Sequence, residues 1–158
     1  MTSTTNISNV RYLSECMRIE QTLGAIYHCW GQSTLFDEEI QKLWLQMECE
    51  EYDHAHQIDM LRRMILRCAV GERTIDDQQV LAMVEYTQNC LEGVKTSPMT
   101  VQEILTLALR LEDQFREFHV LQAFRFEDPA LRKLFSNLSR DDESHLQKIK
   151  DVFRQFGA

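Results

Sequence analysis

Apolar residues recur at alternating spacings of four and three along four separate stretches of the chain. Residues 37–68 give the clearest case, with Ile40, Trp44, Met47, Ile58, Leu61 and Ile65 on one stripe. This spacing returns to one face of an α-helix and predicts a heptad seam. Residues 9–31 carry a similar stripe through Leu13, Met17, Gly24 and Tyr27. Residues 98–126 carry one through Val101, Leu105, Ala108, Phe115 and Gln122. Residues 129–156 carry one through Leu131, Phe135, Leu138, Ile149, Val152 and Phe156.

Helix starts are marked by capping chemistry. Thr34-x-x-Asp37 reads as a capping signal ahead of the second helix. The third helix has two candidate starts: Pro98 as a first-turn proline, or Thr100-x-x-Glu103 as a capping box. Asp128–Pro129 reads as an N-cap followed by a first-turn proline for the fourth. Short links join the first helix to the second and the third to the fourth, which predicts antiparallel neighbours. The second and third are joined by a far longer link, 70–97. A helix of about 25 residues is roughly 38 Å long, so that link can cross the whole length of a bundle. Residues 75–94 within it can form a shorter fifth helix, with Val80, Met83, Val84, Cys90 and Leu91 as apolar positions. The expectation is an all-α, single-domain chain over residues 1–158, a four-helix bundle with a long crossover between its second and third helices.

Composition agrees with helices and narrows the partners. Five Gly and two Pro in 158 residues are too few for a turn-rich all-β chain. A net charge of −8 argues against nucleic acid or an anionic membrane surface as partner. Five cysteines, Cys16, Cys29, Cys49, Cys68 and Cys90, form no CxxC pair, which excludes a thiolate metal knuckle and disfavours a disulfide framework. The start, MTSTTNISNV, lacks the basic and apolar regions of a leader, and no run of 18 apolar residues occurs. A cytoplasmic protein without membrane association is expected.

All four seams are interrupted near their middles by polar residues suited to metal ligation. These are Glu20 on the first, Glu51 and His54 on the second, Glu112 on the third, and Asp142 and His145 on the fourth. A buried, unpaired carboxylate costs about several kcal/mol, so buried charges are paired or metal-bound. Four carboxylates outnumber the two imidazoles, and two metal ions would resolve the imbalance. Oxygen and imidazole donors suit iron or manganese. Residues three apart project from one helix face, so Glu51 and His54 reach one ion together, as do Asp142 and His145. Glu50, Asp53 and His56 fall off the seam and read as solvated neighbours, and His28 reads as a surface or boundary histidine.

The pattern Glu20-x6-Tyr27, Glu51-x-x-His54, Glu112-x6-His119 and Leu138-x3-Asp142-x-x-His145 resembles the rubrerythrin branch of the ferritin-like di-iron carboxylate superfamily. The resemblance spans residues 11–153, including DPALRKLFSNLSRDDESH. It implies a ferritin-like bundle in which Glu20, Glu51, His54, Glu112, Asp142 and His145 hold two iron ions. Tyr27 would be the phenol beside them. Three departures stand out. Asp142 replaces the usual glutamate and is one methylene shorter. His119 replaces a frequent tyrosine; it reads as a third metal-facing imidazole, a group beside the ligands, or a polar residue at the wet end of the bundle. Phe115 stands where full-length rubrerythrins carry a further glutamate. Their four-cysteine rubredoxin domain has no counterpart here, so the resemblance implies an external electron donor such as a rubredoxin-like protein.

The expected function is that of a non-haem di-iron oxidoreductase reacting with peroxide or dioxygen, of peroxidase or ferroxidase type, acting as a homodimer. Iron storage and a non-catalytic, metal-stabilised helical module are the alternatives.

Overall fold

The structure, a computed structural model, describes residues 2–65 and 77–156, with side chains from residue 8 onward. The described chain is all-α. Its helices are α1 (Thr2–Gly31), α2 (Glu38–Ile65), α3 (Asp77–Thr96), α4 (Val101–Arg125) and α5 (Pro129–Phe156). Most of the long link predicted at 70–97 is helical, because α3 occupies Asp77–Thr96. Residues 66–76, with Cys68 and the predicted end of the second helix, lie outside the described residues.

Helix boundaries follow the local capping chemistry. Asp37, not Thr34, caps α2: its Oδ1 accepts the Ile40 N–H at 2.9 Å. Glu38 and Glu39 then sit in the first turn, where the helix dipole favours negative charge. The capping box decides the start of α4. Thr100 accepts the Glu103 N–H, and Glu103 in turn accepts the Thr100 N–H, satisfying two otherwise orphaned donors. Asp128 caps α5 by accepting the N–H groups of Ala130 and Leu131. By contrast, α1 begins at Thr2, ahead of the predicted residue 9. The polar opening run carries no apolar stripe from which that extension could be read.

Helix α1 packs against α2 and α3, α4 against α5, and α2 against α5. Cross-helix partners show their directions. Gly24 lies under Tyr52, and Gly31 lies under Leu45, so α1 and α2 run antiparallel. Glu50 meets His145 while His54 meets Asp141, so α2 and α5 are antiparallel as well. Tyr12 bonds Gln122, His119 bonds Glu20, and Tyr27 bonds Glu112, which sets α1 antiparallel to α4.

Apolar layers close the interior above and below a polar middle. On one side Tyr27, Trp30 and Trp44 pack with ring centroids 5.1–5.7 Å apart. On the other, Phe126 stacks on Phe135 at 5.5 Å and Tyr12 meets Phe126 edge-on. The polar groups between them are cut off from water, which raises the cost of any unpaired charge. Among the described residues, Cys29, Cys49 and Cys90 are free thiols. No helix among the described residues is long and apolar enough to cross a membrane.

Candidate metal centre

The polar middle is built from four helices. Glu20 comes from α1, Glu51 and His54 from α2, Glu112 and His119 from α4, and Asp142 and His145 from α5; none is more than 3% exposed. The alternating four-and-three spacing places each at the same depth as the apolar residues of its own seam. Sequence alone cannot show that four seams meet at one level, and here they do.

Among the described residues, two groups of three emerge. Ligand atoms of Glu20, Glu51 and His54 lie within 4.8 Å of one another, as do those of Glu51, Glu112 and His145. Glu51 belongs to both. Its Oε2 accepts from His54 Nδ1 at 3.1 Å, and its Oε1 lies 3.0 Å from His145 Nδ1. The second approach lacks hydrogen-bonding alignment. Glu20 Oε2, Glu51 Oε1, Glu112 Oε2 and His145 Nδ1 are all buried without a hydrogen-bond partner. Three oxygens and one ring nitrogen without hydrogen-bond partners, converging from four helices, make a donor set suited to a metal once the imidazole gives up its proton.

Asp142 stands apart from both groups. Its Oδ2 accepts from His119 Nδ1 at 2.6 Å, while His119 Nε2 reaches Glu20 Oε1 at 2.9 Å. The expected symmetry, with one bridging carboxylate from each half, is therefore replaced by a single shared carboxylate, Glu51. The shorter aspartate side chain and the neighbouring imidazole account for the difference. His119 sits between Glu20 and Asp142 with its ring against Phe135, so of the readings open for it, the wet end of the bundle is excluded.

The charge argument changes with it. Three imidazoles, not two, stand against four carboxylates. Each imidazole faces acceptors on both ring nitrogens, an arrangement that favours imidazolium. Burial works against the charge on His54, but the nearby Glu20 carboxylate and the hydrogen-bonded Glu51 outweigh it and push the group up to about 11. Burial likewise opposes the charge on His119, yet Asp142 and Glu20 raise it to about 10. His145 is also raised: the carboxylates of Glu112, Glu50 and Glu51 around its ring outweigh its burial. Among the acids, burial raises Glu51, Glu112 and Asp142. Glu20 is lowered despite its burial, by His119 and His54. Tyr27 donates to Glu112 Oε1 and is pushed well above its ordinary value by burial and by the Glu112 charge, so it keeps its proton.

Those shifts give a pH prediction for the protein without metal. Histidines raised from 6.5 contribute their full stabilisation below about pH 6.5 and lose it as pH climbs through about 10 and 11. Thermal melts in chelator should show a melting temperature that falls steadily from pH 7 to pH 10. A flat or rising profile over that range would show that the imidazolium pairs do not form.

Two outer groups escaped the sequence reading. Glu50 is not a solvated neighbour. Its Oε2 binds His145 Nε2 at 2.5 Å and Lys148 at 3.1 Å, and the His145 bond lowers it to about 2. Asp141 holds His54 Nε2 at 3.2 Å. Each acid immediately before Glu51 or Asp142 thus grips the histidine of the opposite helix. Such carboxylate–histidine pairs fix ring orientation and ligand basicity in metal sites. The sequence signal is the doubling itself, Glu-Glu-x-x-His and Asp-Asp-x-x-His. Asp53 and His56 are exposed, and His28 lies at the surface against Glu48. Comparison of the chain with protein-family models, curated proteins and solved structures finds no match.

Proposed function

We propose that the chain is a ferritin-like, rubrerythrin-type protein whose four helices α1, α2, α4 and α5 hold a dinuclear iron centre reacting with peroxide or dioxygen. The observation that carries this reading is the pair of buried Glu/His groups sharing Glu51. Helix directions support the bundle. With α1–α2, α1–α4 and α2–α5 all antiparallel, α2 and α4 run parallel, which requires the long connection that contains α3.

Glu20 and His54 would hold one ion, Glu112 and His145 the other, and Glu51 both. Bound iron would supply the one-electron redox changes and the Lewis acidity that peroxide or dioxygen reduction needs. The protein residues do the rest. Four carboxylates offset the positive charge of the ions. Tyr27 keeps a proton on its hydroxyl and holds Glu112 in place. Glu50 and Asp141 aim the Nδ1 atoms of His145 and His54 inward. The aromatic layers on either side keep bulk water out. Binding releases the protons that His54 and His145 carry on Nδ1 in the metal-free state, so affinity should rise with pH.

A second reading rests on His119. Because this third imidazole pairs Glu20 with Asp142, the seven groups nearly balance without any ion. The centre would then be a charge network specifying the packing of a non-catalytic helical module. Anaerobic titration with ferrous iron decides between the two. Binding that saturates near two ions per chain, with a new absorption band appearing after peroxide, supports the di-iron reading. Absence of binding, with an unchanged melting temperature, supports the charge network.

A further inference from the structure

The ligand side chains are at most 3% exposed, so an ion or oxidant must reach them between helices. A cleft of about 300 Å³ between α2 and α5 has the rings of His54 and His145 in its lining, one from each ligand group. At about 30 Å³ per water it has room for a hydrated cation. Glu50, Asp53 and Asp141 stand around it, with Lys148 as the counter-charge, itself bound to Glu50. On the centre side of the same wall, His145 Nδ1 has no hydrogen-bond partner. Further clefts among the described residues, between α3 and α4, between α4 and α5, and between the start of α2 and the end of α5, are lined by none of the ligand residues. Along the bundle axis the centre is flanked by fully buried Tyr27 and Trp44 on one side and by Phe126 and Phe135 on the other. A charged ion would have to shed its water to cross those layers.

We propose that the α2–α5 cleft is the port through which a divalent cation enters the buried centre, with Asp53 and Asp141 drawing it in and His54 and His145 forming the inner wall it passes. This rests on the dinuclear reading above. It adds a route past the two imidazoles and a selectivity for cations set at its rim by Asp53 and Asp141, which lie outside the ligand set. The two rings lie 6.0 Å apart between centroids, each steadied from the cleft side by an acid, Asp141 for His54 and Glu50 for His145. A cation arriving at the rim therefore meets carboxylates first and the imidazole edges next.

The test follows cobalt(II) uptake by the metal-free full chain in stopped-flow absorbance, with equilibrium dialysis for the final amount bound. Asp53→Lys reverses rim charge at an exposed position. Ser144→Trp fills the cleft without altering charge, and Thr106→Trp places the same bulk in the α3–α4 cleft as a control. Uptake by Asp53→Lys should slow roughly tenfold at low ionic strength and approach the parental rate as salt screens the rim. Ser144→Trp should slow uptake at every salt concentration. Thr106→Trp should match the parent, and all variants should bind the same final amount. Parental rates in both cleft variants overturn the port while leaving the centre standing. No cobalt bound by the parent overturns the centre and the port with it. Circular dichroism identifies a variant that fails to fold, in which case the other decides.

Discussion

Glu51→Ala should abolish binding of both metal ions, not one. Glu51 presents one oxygen to the His54 side and the other to the His145 side, and it belongs to both groups of potential ligands. Losing an outer carboxylate partner weakens a metal site by roughly 10–100-fold, and losing a shared direct ligand should exceed the upper end of that range at both positions. Glu20→Ala and Glu112→Ala provide the comparison. Each touches one group only, so each should leave about one tightly bound ion per chain. Equilibrium dialysis against cobalt(II) or ferrous iron, with metal analysis of the retained protein, reads all three directly. Retention of either ion at full affinity in Glu51→Ala would mean that the shared-carboxylate arrangement is wrong.

His119→Phe should destabilise the metal-free protein by about 3–5 kcal/mol, the usual cost of removing one partner from a buried ion pair. The imidazole holds Glu20 Oε1 and Asp142 Oδ2 together in a site at most 1% exposed. A phenyl ring fits against Phe135 but leaves Asp142 without its cation and Glu20 with His54 alone. For a chain of this length that corresponds to a melting temperature lower by roughly 10 °C. Metal should restore most of the loss, because ions supply the positive charge that His119 no longer brings. His119→Gln, which keeps a donor, should lose less. If metal fails to rescue His119→Phe, the seven groups behave as a closed charge network, and the di-iron reading fails with it.

The two experiments separate questions that the geometry ties together. Glu51 reports on whether the unpartnered oxygens and nitrogen form a binding site. His119 reports on how the chain tolerates that site while it is empty. A chain that folds without metal needs some means of storing four carboxylates in a dry interior. His54, His119 and His145 supply it, each raised far enough to carry a proton at neutral pH.

Much of the helical organisation could be read along the chain. Apolar periodicity located the helices, and Asp128, with Thr100 as one of two candidates, marked starts, because capping depends on residues within a single turn. Thr34 misled for the same local reason: a hydroxyl three residues before an acid resembles a capping box until the Asp37 carboxylate takes the Ile40 N–H. Six polar interruptions in four apolar seams marked residues that the fold would have to bury. Their placement on those seams is a property of helical spacing, and no tertiary information is needed to see it.

What only the tertiary structure decided is how those residues divide among themselves. Whether Asp142 faces Glu51 or His119 depends on a single methylene and on the relative depth of α4 and α5, neither of which periodicity can report. That Glu50 and Asp141 are partners rather than solvated charges depends on how closely α2 and α5 approach, since each reaches across to the opposite helix. The seven-group balance, the asymmetric sharing of Glu51 and the cleft beside the two rings all arise between helices. Spacing along one helix determines which face a residue occupies, while partners 85 to 110 residues away are set by packing, which brings them within a few ångströms.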